Sequence, residues 1–234
     1  MSADILDDLA AAPPPAPPAL GQALEAELAQ LKAVAPRRPL RQLALLALAS
    51  FAYAGGLLAV LTVRDDFSGL PTAWIVGAGT LWLAGFVAPL YLALVPRAGS
   101  MMPRWTAAAT LAGLAAIAFV ALGLSIHPSV PGVSRDYGWA HFFRGHGCLW
   151  LGLATALVPV IIGVIFLRGA LVVRSRWVAA ALGAGGGCLG GLLLHMHCPI
   201  ADGPHIGLIH GGVVAVAAAL TAALAPRATD KPLR

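Results

Sequence analysis

"RQLALLALASFAYAGGLLAVLTV", residues 41–63, carries no charged side chain after its opening arginine. A helix rises about 1.5 Å per residue and a bilayer's hydrocarbon core is about 30 Å thick, so about twenty such residues cross it. The pattern returns five times, over roughly Pro71–Val95, Trp105–Ile126, Gly147–Leu167, Trp177–His195 and Ile206–Ala225. No Asp or Glu falls inside any of these runs. Polar punctuation separates them: "RDDFSG", "PRAGSMMPR", "HPSVPGVSRDYGWAHFFRG", "RGALVVRSR" and "HCPIADGPH". The alternating ten-residue segments of a membrane β-barrel are missing.

Composition points the same way. Of 234 residues, 59% are hydrophobic and 11% charged, and the mean hydropathy is +0.83. Soluble domains carry about 25% charged residues. The fold class is therefore an all-α integral membrane protein, a six-helix transmembrane bundle over residues 41–225. A short cytoplasmic arm, residues 1–40, precedes it, and a tail, 226–234, follows. The arm has no short apolar region with a small-residue cleavage site, so the first span is expected to act as an uncleaved signal-anchor.

Six spans put both termini on one side, and the basic residues say which. Twelve of the fifteen Lys/Arg fall on the side of the termini: Lys32, Arg37, Arg38, Arg41, Arg97, Arg104, Arg168, Arg174, Arg176, Arg227, Lys231 and Arg234. Arg64, Arg135 and Arg144 fall on the other. The positive-inside rule places both termini in the cytoplasm. The net charge of +5 then reads as a topology signal and requires no nucleic acid.

This orientation collects every histidine on the outer side or at outer helix ends: His127, His141, His146, His195, His197, His205 and His210. Cys148 and Cys198 join them, while Cys188 lies deep in the fifth run. Cys188 reads as packing, in "LGAGGGCLGG", where Gly183, Gly187 and Gly191 form a ridge that lets one neighbouring helix approach closely. Pro89 and Pro159 fall inside the second and fourth runs as candidate kinks.

Three readings of the outer cluster compete. One is a thiol pair, Cys148 with Cys198, in a compartment where disulfides persist. Another is a metal or haem site drawn from His146, His195, His197, Cys198 and His205. Zinc or copper suits such ligands, although the spacing matches no strong metal signature. The plain alternative is histidines placed at helix ends as amphipathic interface residues. His195 and Cys198, three apart, share a helical face, whereas Pro199 favours unwinding around His197. His205 and His210, five apart, should not share one.

The arm has a character of its own. "DILDDLAAAPPPAPPAL" is an acidic segment with an extended Pro/Ala linker. Leu20, Leu24, Leu28 and Leu31 then recur at helical spacing, with Glu25 and Glu27 among them, and Pro36 ends the helix. Over residues 1–35 five acids face Lys32 alone. An acidic amphipathic helix is repelled by anionic lipid and suits a basic protein partner; the plain alternative is a solvated tail. The runs contain no acidic group for ion coupling, and the chain has no nucleotide loop and no Ser/His/Asp set. It is read as no enzyme.

Six spans, a short arm, Cys148 opening the fourth span and "HCP" closing the fifth together resemble the NrsF-type membrane anti-sigma factors. The arm and "VAPRRPLRQLALLALAS" are similar to myxobacterial anti-sigma factors governing light-induced carotenoid synthesis. The resemblance implies a negative regulator that holds an extracytoplasmic-function sigma factor at the inner membrane and releases it under oxidative, metal or light stress. It implies that Cys148 and Cys198 are the outer thiol pair. The chain departs from the pattern after "HCP", where Ile200, Ala201 and Asp202 lead into "HIGLIHGG". The additional histidines admit a metal ion or a porphyrin as the input. The alternative function is a membrane haem- or metal-binding oxidoreductase subunit.

Overall fold

The computed structural model describes residues 18–30, 37–95, 104–125, 139, 142, 145–168, 175–200 and 202–229. The Pro/Ala linker, Leu31, Pro36, His127 and His141 lie outside the described residues. So do Lys32, Arg97, Arg135, Arg144, Arg174, Lys231 and Arg234, and the side chains of Leu20, Leu28 and Arg227.

Two compact units divide the chain, residues 1–37 and 38–234. In the first, α1 (Pro18–Gln30) is a helix on which Leu24, Glu25 and Glu27 are exposed. The second contains α2 (Pro39–Leu61), α3 (Thr72–Leu94), α4 (Arg104–Ser125), α5 (His146–Leu167), α6 (Ser175–His197) and α7 (Gly211–Thr229). A π-helical turn, His205–His210, runs directly into α7. No strand occurs among the described residues.

Among the described residues, six helices are long and apolar enough to cross a membrane, the last counted over His205–Pro226. The chain is thus a multi-pass membrane protein. Pro39 at the N-terminus of α2 starts that helix two residues before the expected Arg41, because proline's fixed φ suits the first turn and its missing N–H costs nothing there. Pro89 and Pro159 sit inside α3 and α5.

Burial is uneven. In α6, 89% of the spanning window is buried, against 17% in α2. α6 is the axle of the bundle, and its small residues make that possible. Expectation and structure differ here: the glycines do not form one ridge against one helix. A methyl group on Gly187 would come within 2.6 Å of Val214 Cα, and one on Gly183 would strike the Ala217 carbonyl, both on α7. On Gly190 it would meet the Gly152 backbone of α5, and on Gly191 the Trp82 ring of α3. With α6 surrounded, every face must be small, so a four-residue repeat is only part of the pattern.

Larger side chains fill the space left. Phe86, Leu90, Leu182, Leu189, Leu193 and Val213 are fully buried. Trp82 stacks on Phe119 at 3.8 Å, joining α3 to α4. Val60, Leu48, Ile117 and Trp150 are exposed, as suits faces turned toward lipid.

Candidate functional site

The α2–α3 turn, the start of α5, the end of α6 and the π turn meet at one end of the bundle. Arg64 ties two of these together. Its backbone N–H donates to the Met196 carbonyl at 3.0 Å, and its Nη2 donates to the Pro199 carbonyl at 3.3 Å and to Asp66 Oδ2 at 2.6 Å. Nε donates to the other Asp66 oxygen. The guanidinium is buried and neutralised in place, and its hydrogen bonds hold the Asp66 carboxyl below its ordinary range. Thr62 stands just before it with φ at 67°, a left-handed conformation that a β-branched residue rarely adopts. His197 Nδ1 lies 3.0 Å from the Thr62 carbonyl. A carbonyl only accepts, so this nitrogen carries the proton.

The expectation that α6 unwinds around His197 is corrected. The helix continues through His197, and Cys198 N–H still donates to the Leu194 carbonyl at 2.8 Å. Pro199 has no N–H of its own to give and ends the helix one residue later.

The expectation that His205 and His210 diverge is corrected as well. Five residues in an α-helix turn the chain about 140° past a full circle. Here they lie in a π turn, whose i→i+5 bonding stacks such positions. Their rings approach to 5.0 Å, edge to face.

That turn completes a four-residue cluster. Cys148 Sγ lies 3.8 Å from Cys198 Sγ, and Cys198 Sγ lies 3.5 Å from His205 Nε2. With His210, each of these residues offers one ligand atom, all within 4.8 Å of one another. Cys198, His205 and His210 are buried and Cys148 is partly so. Gly145, just before α5, admits the His205 ring: a methyl there would come within 2.9 Å of its Nδ1. The Cys148 thiol, and then burial, push the Cys198 thiol above its ordinary range, while His205 and His210 draw it back. These four residues could hold a metal ion.

The other expected histidines are not among these four potential ligands. His146 is exposed at the start of α5, and His197 is engaged by Thr62. His195 is buried with its ring 5.9 Å from that of Trp74. With Trp74, Trp82, Phe119, Ile206 and His210 it lines a cavity of about 220 Å³. Sequence reasoning placed His195 with Cys198 and left out Arg64 and Trp74. A buried arginine in a polar turn has no local signature.

The model of the NrsF family, negative regulators of sigma F, matches residues 28–229. The chain belongs to the NrsF family. Membership makes it a negative regulator of a sigma factor, and the family is regulatory rather than enzymatic. The match takes in α2 to α7 and both cluster cysteines, whereas most of α1 precedes it. Neither a curated protein nor a solved structure matches the chain.

Proposed function

We propose that this NrsF-family regulator sequesters an extracytoplasmic-function sigma factor at the bacterial inner membrane through its acidic arm. It releases the factor when stress reaches an outer cluster built on Cys148 and Cys198. The observation that carries this reading is the pair of sulfurs 3.8 Å apart, brought together from positions fifty residues apart by the packing of α5 against α6. The stimulus is oxidative, light-driven or metallic, because thiolates and imidazoles are the side chains that react with oxidants or bind soft metals near neutral pH.

Support for the arm as the docking element comes from its acidity and from the exposure of Leu24, Glu25 and Glu27. Leu20, Leu28 and Leu31 complete the proposed apolar stripe. Support for cytoplasmic termini comes from the twelve-to-three division of Lys/Arg. The input then lies across the membrane from the arm, and the signal passes as a shift between two arrangements of the bundle.

The test is transcription from a promoter dependent on the sigma factor. Cys148→Ser and Cys198→Ser should each keep it repressed under the inducing stress. Normal induction in both variants would remove the thiols from the switch. The oxidoreductase alternative, with a metal or porphyrin in the cluster, has the four potential ligands in its favour. It requires a stoichiometric redox-active centre that survives deletion of residues 1–35.

A further inference from the structure

The geometry points to a zinc-class site: one tetrahedral divalent ion held by Cys148, Cys198, His205 and His210. This inference rests on reading the cluster as the regulator's input and names what that input holds at rest.

Ligand separations carry the argument. Zinc binds thiolate sulfur at about 2.3 Å and imidazole nitrogen at about 2.0–2.1 Å, in tetrahedral sites. A tetrahedron with those arms has sulfur–sulfur edges of about 3.8 Å and sulfur–nitrogen edges of about 3.5 Å. The chain places Cys148 Sγ 3.8 Å from Cys198 Sγ and Cys198 Sγ 3.5 Å from His205 Nε2. His210 supplies the fourth ligand atom, and all four lie within 4.8 Å of one another. The backbone is shaped for this set. The π turn aligns His205 with His210, and π turns recur at functional sites. Gly145 leaves room for the His205 ring.

Charge selects the ion. Two thiolates and two neutral imidazoles balance a divalent cation, so the loaded site is neutral where a net charge would be costly. Copper(I) would leave one negative charge uncompensated. Arg64 does not supply it, since Asp66 already neutralises that side chain. Four protein ligands close the coordination sphere, the arrangement of a structural rather than a catalytic zinc. The ion would clamp the start of α5, the segment after α6 and the π turn to one another.

A loaded site also sets the thiol chemistry. Both sulfurs are committed to the metal as thiolates, so bound metal and a Cys148–Cys198 disulfide are alternative states of the same atoms. A hydroperoxide would take two electrons from the two thiolates, forming the S–S bond and freeing the divalent ion. With two protons its O–O bond breaks to water and an alcohol, or to two waters from hydrogen peroxide.

The test is metal analysis of the full chain purified in detergent. About one zinc per chain is expected, with Cys148→Ser, Cys198→Ser, His205→Gln and His210→Gln each losing at least about tenfold in content. His195→Gln and His197→Gln should retain it. As a second readout, cobalt(II) added to metal-stripped wild-type chain should give tetrahedral and thiolate charge-transfer absorption and protect two of the three cysteines from maleimide. Cobalt without that spectrum, zinc retained in the four ligand variants, or copper(I) in its place would overturn the assignment. Co-purification of the sigma factor with the same samples is read separately. Its failure would sink the anti-sigma mechanism, and failure of metal binding would leave that mechanism standing.

Discussion

Arg64 and Asp66 show how single residues secure the cysteine–histidine end of the bundle. Arg64 is buried, neutralised by Asp66, and bonded to two carbonyls at the end of α6. Asp66 has its carboxyl lowered from 3.8. A lowered carboxyl contributes stability that is present above its unfolded value and is lost as pH falls through its folded value. Thermal unfolding in detergent should therefore lose this contribution only below about pH 4. Asp66→Asn should remove that acid limb while lowering the plateau at neutral pH. An unchanged acid limb in Asp66→Asn would assign it to other carboxyls. None of this was legible in "RDDFSG", where Arg64 looked like one basic residue in a polar loop. The histidine corner was half legible. Its residue types announced soft-ligand or thiol chemistry, but the choice of His205 and His210 over His195 and His197 depends on a π turn. Sequence periodicity assumes α geometry throughout and misses it.

Among the elements, α6 separates what composition reveals from what packing decides. Its glycines were legible as a device for close approach, but their distribution over three neighbours was not. That distribution follows from α6 standing at the centre of the bundle, and hydropathy treats all six spans alike. The glycines are therefore unequal to those elsewhere. Gly187→Val drives a branched side chain into the Val214 backbone and should cost about 1–3 kcal/mol, with rearrangement at the α6–α7 contact. Gly55→Ala in α2, with nothing within 4 Å of the added methyl, should leave the unfolding temperature unchanged or slightly raised. Equal effects at the two positions would contradict a central α6. The arm behaves as its own element, since residues 1–37 form a separate compact unit. Deleting residues 1–35 should leave the unfolding temperature of the bundle unchanged and abolish retention of the sigma factor. A bundle that fails to fold without the arm would argue for a packing role instead.

At the scale of the molecule, the six spans were legible from hydropathy alone because bilayer thickness fixes their length. The runs and the observed helices agree to within a few residues. The family match over residues 28–229 gives that bundle a regulatory task. The proposed mechanism requires the bundle to connect a thiol pair to a sigma factor bound by the arm. The direct measurement is retention of the sigma factor by the full-length chain in detergent, before and after thiol oxidation, in wild type and in Cys148→Ser. The account predicts retention by the reduced wild type, release on oxidation, and retention by Cys148→Ser under both conditions. Release from Cys148→Ser as readily as from wild type, or no sigma factor bound to the reduced chain, would contradict it.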